Sequence, residues 1–167
     1  LLPYPPVVVL VRDIRNAMIS NYVKWHGAGR YRDVSFSEYV RGDIAGKRFV
    51  ADVWWYTFFH NRWGDVLATF PSQTMLVRYE DIQTDPANAI KSVARHFGID
   101  LRPDSIAAGL KSGERSALRA QLDPDHNEKI VTDETVKNNT TFSDEDEIVL
   151  RSILGRHLRY DYGYDYF

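Results

Sequence analysis

Arg12 and Ser20 are the residues whose types and spacing first suggest chemistry. Val7 to Val11 is an unbroken apolar block rich in β-branched residues, the mark of a strand buried on both faces. Arg12 stands just past its carboxyl end, the edge at which parallel α/β sheets bind their ligands. Ser20 comes eight residues later, roughly 12 Å along a following helix at ~1.5 Å per residue. A guanidinium fork matches phosphate geometry and a hydroxyl adds a neutral donor, so the two could share an anion. On spacing alone a plainer arrangement is the commoner one, with Arg12 paired to Asp13 or Glu80 and Ser20 on a helix surface.

The elements that must position these residues follow from periodicity and punctuation. Asp13 can cap a helix whose apolar positions Ile14, Ala17, Met18, Tyr22 and Trp25 fall at helical spacing. His26 to Asp33 reads as a loop, and Ser35 or Ser37 can start a short helix through Tyr39. Phe49 to Trp63 is dense in aromatics and predicts a helix buried on most of its circumference, ending before Pro71. Thr74 to Arg78 is a second buried strand, leading into Tyr79, Glu80 and Asp81. Asp85-Pro86 marks a helix start, with Gly98 as the stop. Pro103 to Leu110 predicts another helix, Ser116 to Asn139 is polar and irregular, and Ser143 with Asp146 forms a capping box for a last helix. The terminal YDYGYDYF reads as a docked anchor. Two strands are few for a parallel sheet, which normally needs more.

Composition narrows the classes. A net charge of -2 with 26% charged residues gives no sign of bulk nucleic-acid binding or a polybasic membrane surface. The absence of cysteine excludes disulfides, thiolate nucleophiles and Cys-based metal sites, and favours a reducing, cytoplasmic setting. No apolar run approaches the roughly 18 residues of a membrane span. The histidines, His26, His60, His96, His126 and His157, show no metal spacing. His26, directly after Trp25, could touch a substrate, although a solvated helix end is the commoner role.

The order and identity of the residues say more than their spacing. VVVLVRDIRNAMISNYVKW resembles the strand-turn-helix of the P-loop sulfotransferase family: an apolar strand, R-D-P-R-D, a Ser eight residues after the first Arg, then aromatics. Arg12, Asp13, Arg15, Asn16, Ser20, Tyr22 and Trp25 stand in that order, with Ile14 in place of the proline. Leu76 to Ile99 is similar to the family's strand ending in YED, followed by a spacer, D-P and a helix closing on F-G. Gly46 with FVADVWWY, and the terminal FSDEDEIVLRSILGRHL, fall where the family carries a Gly before a tryptophan-rich helix and an acidic-capped last helix.

The resemblance implies an α/β fold, a P-loop NTPase-like three-layer parallel sheet flanked by helices, as one domain over residues 1–167, incomplete at its N-terminus. It implies 3′-phosphoadenosine 5′-phosphosulfate (PAPS) as co-substrate, no metal, and transfer of a sulfuryl group to a hydroxyl or amine of a small-molecule, sugar or lipid acceptor. By position, Arg12 and Ser20 would hold the 3′-phosphate and Tyr79 would contact the adenine. Ser116 would add a further adenine-side contact. Asp13, Glu80 and Asp81 would cap helices and orient the basic residues.

Three departures bear on catalysis. The family's P-K-S-G-T-type phosphosulfate loop and its general-base histidine lie upstream of the R-D-P-R segment, before this chain starts. The R-K-G-x-x-G-D-W motif is not recognisable before the last helix, where Lys129 and Lys137 are the nearest substitutes. No catalytic residue is therefore assigned in this chain, which is expected to show no sulfuryl transfer alone and to belong to a longer parent. Two other classes stay open: a P-loop kinase-like phosphotransferase binding ATP, and a truncated non-catalytic module for protein contacts. The acceptor and the oligomeric state are not encoded in any motif.

Overall fold

The computed structural model describes residues 5–27, 29–114 and 140–167, and these group into two compact units. One unit joins the N-terminal segment through Arg12 to the stretch beginning at Val66; the other holds Asp13–Asp65 and the C-terminal region.

In the first unit, β1 (Val7–Val11) and β2 (Thr74–Arg78) form a parallel two-stranded sheet. Their register pairs Val7 with Thr74 and runs to Val11 with Arg78. Both strands have the expected bounds, because β-branched apolar runs fit a pleated, covered surface. The described residues thus hold an α/β arrangement with a small parallel sheet. The residues after β2 do not continue extended: Tyr79–Thr84 turn at once into the short helix α4. α5 (Pro86–His96) opens with Asp85 accepting the Asn88 N–H and proline in its first turn, as Asp-Pro dictates. It ends at Phe97, where Gly98 takes φ +72°, a conformation that favours glycine. A ring nitrogen of His96 lies 3.1 Å from the Val7 carbonyl, tying this helix to β1. α6 spans Pro103–Ser112, two residues beyond the predicted end.

The second unit holds α1 (Ile14–Gly27), α2 (Phe36–Arg41), the greater part of α3 (Val53–Thr69) and α7 (Asp144–His157), with an aromatic cluster built on α1, α2 and the loops beside them. The intervening α4 to α6 belong to the first unit. Ile14, Met18 and Tyr22 point inward at the spacing the sequence predicts. Tyr31, Tyr39 and Phe49 pack edge-on and tilted at centroid separations of 5.3–5.7 Å. Burial holds the Tyr39 phenol well above its ordinary range, so it stays neutral. Its partners are the Asn21 amide and the Ala51 carbonyl.

α3 corrects an expectation. The sequence predicts a helix from Phe49, buried nearly all round; the helix starts at Val53 and buries only a narrow stripe of Val53, Thr57, His60 and Gly64. Asp52 sets the start by accepting the Trp54 and Trp55 N–H groups. At its far end the stripe lies against the C-terminal tail: a Cβ added to Gly64 would fall 2.1 Å from the Tyr160 ring. The large rings are displaced to the flanks, and Trp55 and Phe58 are about half exposed, at 47% and 55%.

Candidate functional site

The parallel register decides where the candidate residues go. Val11 and Arg78 are the last paired positions of the two strands, so the next residues, Arg12 and Tyr79, leave the same sheet edge side by side. The Arg12 guanidinium lies over the Tyr79 ring, 4.6 Å from its centroid. Such a contact is worth roughly 0.5–2 kcal/mol and holds the guanidinium plane against an aromatic face. The Tyr79 hydroxyl accepts a bond from Gln83 one turn along α4, at 3.0 Å, which fixes the ring. Two of the four predicted site residues are therefore in contact, each placed by the first residue position beyond its strand.

Ser20 lies in the other unit, the seventh residue of α1, and is half-buried. Ser116, Lys129 and Lys137 lie outside the described residues. Asp13 has the structural role expected of it: its carboxylate accepts the Asn16 N–H at 2.9 Å and caps α1. Arg15, which shares the motif with Arg12, is committed elsewhere. Its Nε contacts both Glu147 carboxylate oxygens at 3.3 Å, its Nη1 donates to the Asp165 carbonyl, and its guanidinium lies 5.3 Å from the Tyr166 centroid.

A parallel strand pair that presents an arginine and a tyrosine at its carboxyl edge suits an anion attached to a planar ring. Comparison of the sequence with family models gives that chemistry a context: the model described as the sulfotransferase domain matches residues 3–142. The chain belongs to the sulfotransferase family. Curated proteins and solved structures gave no match.

Membership makes this a transferase-family chain whose chemistry is sulfuryl transfer, on an α/β scaffold. Among the described residues of this sulfotransferase, no cluster of His, Asp and Glu is arranged to hold a metal ion, and no helix is long and apolar enough to cross a membrane. His26 is half-buried near the end of α1, 5.4 Å from the Tyr22 ring centroid; the helix runs through His26 and Gly27, two residues into the stretch the sequence reads as a loop.

Sequence reasoning missed how closely the C-terminal tail engages the start of α1. Tyr166 is fully buried, and its hydroxyl accepts the Ile14 N–H at 2.8 Å. The signal that could have found it is the alternation of tyrosines at 160, 162, 164 and 166, a period of two that suits an extended segment with one buried face. It also missed His60, whose pKa burial pushes down to about 4, with a hydrogen bond to the Tyr160 backbone opposing the shift.

Proposed function

We propose that the chain is a PAPS-dependent sulfotransferase and supplies the 3′-phosphate and adenine side of the donor site. The single observation that carries the reading is the Arg12 guanidinium lying over Tyr79 at the carboxyl edge of β1 and β2. A guanidinium fork matches phosphate geometry, and a ring against its face fixes the plane in which that fork lies. In this reading Ser20 supplies a hydroxyl to the 3′-phosphate and the Tyr79 ring takes the adenine. Ser116 supplies a second adenine-side contact.

These groups accept anionic and aromatic chemistry and no metal is required of them. PAPS supplies an activated sulfuryl group, and an acceptor hydroxyl or amine attacks sulfur in line with the departing bisphosphate. The named residues of this chain bind and orient the donor, and none is assigned the base. The acceptor is a small molecule, sugar or lipid, and the exposed rings of α3 offer an apolar wall suited to its body. In this reading residues 1–167 act as one domain, on a three-layer sheet of which β1 and β2 are part. The cysteine-free composition fits a cytoplasmic protein.

Titration with adenosine 3′,5′-bisphosphate tests it, with adenosine 5′-monophosphate and ATP as comparators. Loss of a charge-assisted phosphate contact amounts to about 1.5–3 kcal/mol, so Arg12→Ala should weaken the bisphosphate roughly 10- to 100-fold. The monophosphate, lacking the 3′ group, should lose far less. An Arg12→Ala protein that binds the bisphosphate like the parent would remove the site, and equal affinity for ATP would favour a phosphotransferase.

A further inference from the structure

The first turn of a helix leaves backbone N–H groups that its own carbonyls cannot accept. In α1 two of them go to side chains. Asn16 N–H is taken by Asp13, two residues after the end of β1, and Ile14 N–H by the Tyr166 hydroxyl, in a buried bond between residues 152 apart in sequence.

The tail that brings Tyr166 there is tied along its length within the same unit. Asn61 donates to the His157 carbonyl and accepts the Arg159 N–H, which sets the exit from α7. Tyr160 packs on Gly64, and the Tyr162 hydroxyl donates to the His60 carbonyl at 2.8 Å. Asp161 turns the chain by accepting the Gly163 N–H. Arg15 then grips the far end through the Asp165 carbonyl and the Tyr166 ring, while Glu147 of α7 holds its Nε.

We propose that this tail positions the donor-binding turn, with Tyr166 as its positioning residue. The inference rests on the reading of Arg12 and Ser20 as the seat of the 3′-phosphate. Ile14 is two residues from Arg12 along the backbone and opens the helix that bears Ser20, so fixing the Ile14 N–H fixes where that helix begins. The same bond has a chemical consequence. A helix N-terminus is a ready anion site when its N–H groups are available. Here the Ile14 N–H is already committed to a phenol, so it is not offered to an anion. Losing the Tyr166 hydroxyl leaves a buried N–H without its acceptor, and the turn shifts to satisfy it.

The test compares adenosine 3′,5′-bisphosphate with adenosine 5′-monophosphate by calorimetric titration, using the parent protein, Tyr166→Phe, Arg15→Lys, Arg12→Ala and, as a control at the exposed chain end, Phe167→Ala. Thermal melts verify that each variant is folded. Tyr166→Phe should weaken the bisphosphate roughly five- to tenfold while the monophosphate changes less than about twofold, a selective coupling of ordinary size. Arg15→Lys, which keeps the buried phenol but loses the planar fork, should shift the ratio in the same direction, and it carries the test if Tyr166→Phe does not fold. Phe167→Ala should leave both affinities unchanged. If Arg12→Ala abolishes the preference for the 3′-phosphate while Tyr166→Phe and Arg15→Lys keep it, the tail is only structural and the inference is overturned. Equal losses on both ligands overturn it as well. If Arg12→Ala itself changes neither ligand, the site reading fails, and this inference fails with it for that separate reason.

Discussion

Gly64 shows how a single missing carbon can determine what packs on a helix. Glycine inside a helix is less favourable than alanine by ~1 kcal/mol, so Gly→Ala in an open helix position is expected to stabilise. At Gly64 the sign should reverse. An added Cβ would lie 2.1 to 2.6 Å from three carbons of the Tyr160 ring. That ring cannot swing away freely, because its hydroxyl donates to Asp65 and the adjacent Arg159 forks onto the same carboxylate at 2.9 and 2.6 Å. Overpacking of this kind costs about 1–3 kcal/mol. Gly64→Ala should therefore lower stability in urea unfolding by about that much, despite the gain in helix propensity. Gly155 in α7 provides the control, since its Cβ would meet the Phe167 ring at an ordinary 3.7 Å. Gly155→Ala should be neutral or stabilise by up to ~1 kcal/mol, and a stabilised Gly64→Ala would show that the tail does not sit on α3.

At the scale of elements, α7 is held by one carboxylate with several partners. Asp146 is 1% exposed, closes the capping box with Ser143, accepts the Ser37 hydroxyl of α2 at 2.8 Å and pairs with Arg41 at 3.2 Å. Burial pushes its pKa up, but the hydrogen bonds from Ser143 and Ser37 and the charge of Arg41 outweigh that and hold it below the ordinary value. A buried group with this many donors should be costly to delete. Asp146→Ala should destabilise by about 2–4 kcal/mol, whereas Ser143→Ala, which removes only the cap, should cost ~1 kcal/mol. Similar losses in both variants, read from denaturant midpoints, would reduce Asp146 to a cap. The capping box itself was legible in the sequence, as were Asp85-Pro86 and both strands, because each is set by a few adjacent residues; for α2 the sequence offered Ser35 or Ser37, and Ser35 is the cap. The link from Asp146 to Ser37 was not, since it joins positions 109 apart through tertiary packing. The same division holds at the candidate site. Arg12 and Tyr79 were legible one by one, each as the residue after a strand, but their contact needed the register of β1 against β2. α3 misled because aromatic density signals burial without saying which face, and the buried face is Val53, Thr57, His60 and Gly64 instead.

For the whole molecule, the pH dependence of stability should carry the mark of one histidine. His60 is 2% exposed, and desolvation lowers its pKa from 6.5 in an unfolded chain to about 4. Its Nδ1 has no hydrogen-bond partner among the described residues, and the ring lies 5.0 Å from Tyr162, whose own pKa burial raises to about 12, so neither supplies a negative charge to hold a proton. The sign follows from linkage: between the two values the unfolded chain binds a proton that the folded protein does not, so stability falls as pH falls. The contribution is whole above pH 6.5, declines between 6.5 and about 4, and is flat below. At 1.36 kcal/mol per pKa unit the loss across this window is roughly 3 kcal/mol. The carboxylates act lower: Asp43, Asp65, Asp146 and Glu38 all have depressed values, so their contributions fade only as pH drops below the ordinary carboxylate range. His60→Gln keeps a polar side chain near the Tyr160 backbone but cannot take up the proton. Urea unfolding at pH 7, 5.5 and 4 should show the parent losing stability more steeply than His60→Gln, with the curves diverging below pH 6.5. Parallel curves would mean that His60 reaches solvent without unfolding, and that the stripe of α3 beneath the tail opens at little cost.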